Sequence, residues 1–111
     1  MENCHELAKY AYECWRDRGV PKFLAKWSGA WLVDDEGNPV VVGLCWAGRN
    51  EVGTKIFRVS KELAKEIAEK EDDYKWILER CGTPEQKRVL RSLLGPYHRP
   101  YRRRRIESIW W

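Results

Sequence analysis

Two apolar runs on either side of a short polar break constrain the fold of this chain more than any other feature. The runs are residues 30–33 and Val40–Trp46, and the break between them includes the turn-forming residues 37–39, Gly-Asn-Pro. β-Branched and aromatic residues flanking turn formers predict a β-hairpin. A third run of the same kind follows at 55–59, KIFRV. The sequence therefore predicts a three-stranded antiparallel meander, in which Gly43 marks a bulge or a close approach of another backbone.

Helical patterns precede and follow these strands. Apolar side chains recur at i, i+3, i+4 and i+7, so the four predicted helices span about 2–18, 61–70, 71–81 and 84–94. Ser60 is a predicted N-cap, and Thr83 with Gln86 forms a predicted capping box. Residues 21–27 fit one short helical turn, with a proline at its start.

The predicted fold class is α+β: a small antiparallel three-stranded meander packed against an N-terminal helix and a C-terminal helical subdomain. At 111 residues, the chain is long enough for one domain with one hydrophobic core. No linker divides it, so we predict a single domain over 1–111 with a basic, aromatic C-terminal tail at about 96–111.

Composition indicates a hot, intracellular environment. Charged residues make up 34 % of the chain, whereas thermolabile residues are rare, with one Gln, three Asn and one Met; this is a hyperthermophile pattern. No apolar run reaches the roughly 18 residues of a membrane-spanning helix, and the charged start MENCHELAKY lacks a signal-peptide core. We predict a cytoplasmic protein of a hyperthermophile, archaeal or viral in origin.

The four cysteines, Cys4, Cys14, Cys45 and Cys81, contain no CxxC pair. We expect them to be buried thiols acting as small apolar residues. One disulfide between distant cysteines and a metal site are the alternatives. On the first helix Cys4 and Cys14 would lie roughly 15 Å apart, so they are not expected to bond to each other. We predict no metal and no cofactor.

Charge is distributed unevenly along the chain. Residues 1–85 contain 13 Lys/Arg and 16 Asp/Glu, whereas residues 86–111 contain 8 Lys/Arg and one acid. Cations interleaved with aromatic side chains are typical of nucleic-acid binding, because they neutralise phosphates and stack on bases. The predicted contact residues for DNA or RNA are Lys87, Arg88, Arg91, Arg99, Tyr101, Arg102, Arg103, Arg104 and Arg105. A solvated tail that pairs with the acidic body, or a contact with an anionic membrane surface, would also explain this pattern.

Residues 73–94 resemble a helix-turn-helix, with two helices of about nine residues joined by a tight turn at 82–83. The resemblance implies that the second helix reads a groove of DNA. Leu78 stands where that family has a small residue, and Arg88 and Arg91 stand where its second helix is apolar. Two adjacent helices closing a core would account for the same residues.

Residues 29–37, GAWLVDDEG, resemble the motif of LAGLIDADG homing endonucleases. In that family a helix ends in a metal-binding acid, and Glu36 holds the matching position. The resemblance implies a helix over 30–35 and a degenerate nuclease. Trp31 stands where the motif has a helix-packing glycine, and an acidic hairpin turn explains the same residues.

Motifs of enzymes are otherwise missing. The chain has no GxxxxGK[ST] loop, no GxGxxG and no convincing Ser, His and Asp set. We therefore predict a non-enzymatic nucleic-acid-binding protein. The alternative is a protein-interaction module, such as a small regulator, inhibitor or assembly subunit, that forms a homodimer or binds a partner through exposed aromatic residues. That alternative rests on seven tryptophans: Trp15, Trp27, Trp31, Trp46, Trp76, Trp110 and Trp111.

Overall fold

The computed structural model describes residues 3–27, 30–71 and 74–94. These residues form four helices and five strands. The helices are α1 (Cys4–Asp17), α2 (Lys61–Glu69), α3 (Tyr74–Cys81) and α4 (Pro84–Leu94). The strands are β1 (Lys22–Leu24), β2 (Lys26–Trp27), β3 (Ala30–Trp31), β4 (Val40–Trp46) and β5 (Val52–Arg58).

Three of the strands form an antiparallel sheet in the order β1-β4-β5. Its register places Leu24 opposite Val42, and Val42 opposite Ile56. β2 and β3 pair with each other in a separate two-stranded ladder. The predicted fold class is confirmed: the chain is α+β, with a small antiparallel sheet and helices before and after it.

Residues 30–33, predicted as the first strand of the meander, lie outside this sheet, and that part of the prediction is wrong. Val33 makes an isolated antiparallel bridge with Pro39, and the Val40 N–H donates to the Leu32 carbonyl at 3.0 Å. The predicted hairpin is thus reduced to a short bridge at the start of β4. It cannot extend into a ladder because β1 occupies the same edge of β4 further along.

β1 lies in residues 21–27, where a helical turn was the sequence-based expectation, and this expectation is wrong. Phe23 is 1 % exposed, and its ring centroid lies 6.0 Å from that of Tyr10 and 6.3 Å from that of Phe57. The Glu71 carbonyl accepts the Phe23 N–H at 3.4 Å, and the Glu71 carboxylate accepts two further N–H groups at 3.2 and 3.3 Å. The segment forms a strand and not a helical turn because both edges of the strand make hydrogen bonds and the Phe23 ring at its centre is buried.

The helices agree with the sequence pattern. The Leu63 N–H donates to Ser60 Oγ at 3.1 Å, which confirms the predicted N-cap of α2. α3 buries Tyr74, Ile77 and Leu78, as predicted from their spacing. The side chains that α1 turns toward the core are also the predicted ones: Leu7, Ala8, Ala11, Cys14 and Trp15.

α1 packs on the sheet at Gly43. The Tyr10 hydroxyl donates to the Gly43 carbonyl at 3.2 Å, and the Tyr10 and Phe57 ring centroids are 5.6 Å apart. Burial raises the pKa of the Tyr10 phenol. A close approach at Gly43 therefore exists, but the approaching group is an aromatic side chain and not the predicted backbone.

Replacing Gly43 by alanine should lower the free energy of unfolding by about 1–3 kcal/mol, because the added methyl group would overpack the core. A Cβ there would lie 2.6 Å from Tyr10 Cε2 and 3.1 Å from Phe57 Cε2. Urea unfolding measures the change. Gly48→Ala is the matched control, since its Cβ meets only the mobile end of Glu51. Equal effects of the two substitutions would contradict the packing seen at Gly43.

The four cysteines form two disulfides, Cys4–Cys81 and Cys14–Cys45, with Cα–Cα distances of 5.2 and 5.8 Å. The expectation of free buried thiols is wrong, since none of the four is free. The expectation that Cys4 and Cys14 do not bond to each other is confirmed. α1 packs against both α3 and β4, and this brings together cysteines that are 77 and 31 residues apart in sequence.

Candidate nucleic-acid interface

α4 is the element that positions the predicted contact residues within the described part of the chain. The Gln86 N–H donates to Thr83 Oγ1 and the Thr83 N–H donates to Gln86 Oε1, each at 3.1 Å, so the predicted capping box is confirmed. Pro84 occupies the first helical position, where no N–H is needed. Leu90 is buried in the core cluster. The cap fixes where α4 begins, and Leu90 fixes which side of it faces inward.

Three predicted contact residues, Lys87, Arg88 and Arg91, form what we call the α4 basic face. Arg88 and Arg91 are exposed and Lys87 is half-buried. Residues three or four apart are neighbours on a helix surface, so Arg91 lies next to both Lys87 and Arg88. Among the described residues, no ion pair joins these three cations to a carboxylate.

Five other arginines lie in the described residues, and two of them, Arg18 and Arg49, make no ion pair with a described carboxylate. The other three pair with carboxylates: Arg16 with Asp17, Arg58 with Asp34 and Arg80 with Glu66. An arginine that already has an anionic partner must lose it before it binds a phosphate. The α4 basic face has no such partner to lose within the described chain, and its guanidinium groups suit phosphate oxygens.

The other predicted contact residues lie outside the described residues. They are Arg99, Tyr101, Arg102, Arg103, Arg104 and Arg105. The structure therefore brings together three of the nine predicted site residues and leaves the other six as predictions from sequence.

The two helices of the helix-turn-helix resemblance are present, α3 and α4, and only Gly82 and Thr83 separate them. The Gly82 N–H donates to the Leu78 carbonyl at 2.8 Å, which closes the end of α3. Leu78 itself is fully buried, as expected for two helices that close a core. The arrangement is compatible with both interpretations made from the sequence.

The helix required by the LAGLIDADG resemblance is absent from residues 30–35, which form β3, a bridge and the start of a turn. Asp34 Oδ1 accepts the N–H groups of Asn38 and Glu36 at 2.8 and 3.0 Å. Those hydrogen bonds, the one from Asn38 first, lower the pKa of Asp34, and Arg58 nearby adds to the effect. The acids thus stabilise a hairpin turn, which was the alternative explanation of this motif.

One exposed feature was missed by the sequence reasoning: the outer edge of the sheet along β5. The predicted strand began at Lys55, whereas β5 begins at Val52. Val52 and Ile56 are 42 % and 66 % exposed. Val52, a β-branched residue directly after the loop, was the signal that could have extended the strand to its true start.

Comparison with protein-family models, curated proteins and solved structures finds no match to this chain. Within 3–27, 30–71 and 74–94, no group of three or more His, Cys, Asp or Glu residues is arranged to hold a metal ion. None of the helices in those ranges is both long enough and apolar enough to span a bilayer.

Proposed function

We propose that this protein binds nucleic acid without catalysing a reaction, through the α4 basic face and the basic segment that follows it. The observation that carries the proposal is that the three cations of this face have no carboxylate partner among the described residues. The segment 86–111 continues the same charge, with 8 Lys/Arg and one acid. Such a surface gains affinity by releasing counterions from phosphates, largely independently of base sequence.

Replacing Arg88 and Arg91 by alanine should weaken binding to a labelled DNA or RNA oligonucleotide. On a duplex DNA probe each lost phosphate contact changes the slope of log affinity against log salt by about 0.9, so the slope should flatten by roughly 1.8. At about 0.1 M salt this corresponds to a loss of roughly 60-fold in affinity. Fluorescence anisotropy over a salt series measures both quantities.

The matched control is Arg18→Ala/Arg49→Ala, which removes the same charge from two exposed arginines elsewhere. Both double variants change the net charge equally, so a general field effect would weaken binding in both. The proposal requires a clearly larger change in slope for the α4 variant. Equal changes, or no binding by the unmodified protein at low salt, would overturn it.

The proposed cellular setting is the cytoplasm of a hyperthermophile, cellular or viral. Disulfides are rare in the cytosol of mesophiles but common inside hyperthermophiles. Two disulfides fit that setting better than a mesophilic cytosol. The excess of charged over thermolabile residues points in the same direction.

A second candidate function is that of a protein-interaction module. It is supported by Trp31 and Val33, two apolar side chains that are exposed close together in sequence. Not all tryptophans support it: Trp15 is buried, and Trp46 and Trp76 are only half-exposed. If this surface joined two copies of the chain, Val33→Lys would weaken their self-association.

A further inference from the structure

The outer edge of β5 carries backbone groups that have no strand partner among the described residues. Directly beyond the two ends of the β4–β5 ladder, the Ala47 N–H donates to the Glu51 carbonyl at 2.8 Å, and the Val59 N–H donates to the Pro39 carbonyl at 3.3 Å. Both bonds join odd-numbered residues, and the pattern of an antiparallel ladder alternates. The even-numbered residues of β5 therefore direct their N–H and C=O groups away from β4. We call this row the β5 edge; its members are Val52, Thr54, Ile56 and Arg58.

The same residues expose apolar side chains. Val52 and Ile56 are among the large apolar residues with the greatest exposure in the described chain, and they lie on one face of the strand with Thr54 between them. The opposite edge of the sheet is different, because Glu71 accepts the N–H group of Phe23 in β1 and those of Ala25 and Lys26 directly after it. A long, open and partly apolar edge is a template for pairing with another strand.

We propose that the β5 edge pairs with the β5 edge of a second copy of this chain, antiparallel, about a two-fold axis at Thr54. In that register Thr54 faces Thr54 of the partner subunit. Val52 faces Ile56 of the partner subunit, and the symmetric pair forms on the other side of the axis. About six main-chain hydrogen bonds result, two for each facing pair of even-numbered residues. The two sheets join into one sheet of six strands.

The charges on β5 select this register over its neighbours. With the axis at Lys55, two ammonium groups would be directly opposed, which is destabilising. With the axis at Ile56, Val52 would lose its apolar partner. With the axis at Thr54, Lys55 faces Gly53 of the partner subunit, which has no side chain. The Lys55 ammonium then lies diagonally across from Lys55 of the partner subunit. Glu51 of the partner subunit lies on the opposite diagonal.

Lys55 can keep its present position in such a dimer. Its Nζ lies 5.9 Å from the Tyr10 ring centroid and 5.4 Å from that of Phe57. The side chain thus follows its own subunit's aromatic surface on the face toward α1. A charge on the inner face of an edge strand normally protects that edge from pairing; opposite a glycine it restricts the register instead.

Sedimentation velocity tests the dimer. The unmodified protein should sediment as a dimer that dissociates on dilution. Val52→Lys/Ile56→Lys should raise the dissociation constant of the dimer by at least about 100-fold. It replaces the two apolar pairs that flank Thr54 by pairs of like charges. Val33→Lys, a change at another exposed valine, should leave the dimer intact. A monomer at every concentration, or dissociation caused by Val33→Lys alone, would overturn the proposal.

Cysteine cross-linking tests the register in nearly unmodified protein. The four native cysteines are paired, so an added cysteine is the single thiol. Thr54→Cys should cross-link under mild oxidation, because facing Cα atoms at such a pair lie about 5.5 Å apart, within disulfide reach. Ile56→Cys should not, since the two copies of that residue would lie about 14 Å apart along the strands. Cross-linking at 56 instead of 54, or at neither, would refute this register.

The dimer and the proposed nucleic-acid binding can fail separately. The Val52→Lys/Ile56→Lys variant leaves the α4 basic face unchanged, so as a monomer it should still bind an oligonucleotide. If this variant no longer self-associates but still binds the oligonucleotide, its substitutions have affected pairing at the β5 edge and not the nucleic-acid interface.

Discussion

Removing both disulfides should lower the free energy of unfolding by roughly 8 kcal/mol in the chain-entropy description. The Cys4–Cys81 pair closes a loop across a sequence separation of 77 and the Cys14–Cys45 pair one across 31. These loops correspond to about 4.5 and about 3.7 kcal/mol, respectively. Small domains are stable by only about 5–15 kcal/mol, so the fully reduced chain is expected to be marginal or unfolded at 25 °C.

The position of α1 explains why both bonds matter. Cys4 at its first turn is joined to the last residue of α3, and Cys14 near its end is joined to β4. The helix that covers the sheet is therefore held at both ends by covalent bonds. Without them, packing alone must keep the helical part of the domain on the sheet.

The measurement is denaturant unfolding of the protein with and without reductant, beside Cys4→Ala/Cys81→Ala and Cys14→Ala/Cys45→Ala. The first variant should lose slightly more stability than the second, because its loop is longer. A variant lacking all four cysteines is the control, since reductant should not change it further. Peptide mapping that finds free thiols in the oxidised protein, or unchanged stability after reduction, would contradict the expectation.

Local chemistry made much of the fold predictable. The helix boundaries at Ser60, Thr83 and Pro84 follow from side chains that bond to N–H groups within three residues, or from a proline that needs none. β4 was predictable because its apolar run is long and bounded by a turn and by Gly48. In each case the physical cause lies within a few residues of its effect.

The errors concern choices between segments distant in sequence. In the structure residues 22–24 and 30–33 both lie along the same edge of β4, and of the two segments only the first, through Phe23, contacts the Tyr10 and Phe57 rings. The disulfides were missed for the same reason. Four cysteines allow three pairings, and the periodicity of α1 excluded only Cys4–Cys14. Choosing among the rest requires knowing which elements α1 packs against.

The candidate site, like the fold, was predictable from sequence only in part. The orientation of α4 was predictable because its apolar and basic residues alternate with helical spacing, so Arg88 and Arg91 had to face away from Leu90. The border position of β5 was implied by the predicted meander, in which the third run is the last strand. Its length was missed, because Val52 was placed in the loop before the strand.

Replacing Arg102, Arg103, Arg104 and Arg105 by alanine should have the largest effect on nucleic-acid binding. Four consecutive arginines cannot all point to one side of a helix or strand, so some guanidinium groups are available to phosphates. For about four contacts with duplex DNA, the salt slope from this cluster alone is roughly −3.6. Its loss should reduce affinity by up to about 4 × 10³-fold at about 0.1 M salt and flatten the slope by up to about 3.6.

Anisotropy with a labelled oligonucleotide, from low to moderate salt, measures this change, and the control must remove the same charge. Lys9, Arg49, Lys61 and Lys65 are exposed cations of the described body, so their joint replacement by alanine is the matched variant. If net charge alone drives binding, the two quadruple variants will lose the same slope. If the arginine cluster contacts phosphates, only the variant that lacks Arg102–Arg105 loses most of its salt slope. The slope depends on the number of phosphate contacts, and cations farther than a Debye length from the bound phosphates contribute little to it. An unchanged slope in the first variant would rule out the cluster as the phosphate-binding segment and leave binding to the α4 basic face alone.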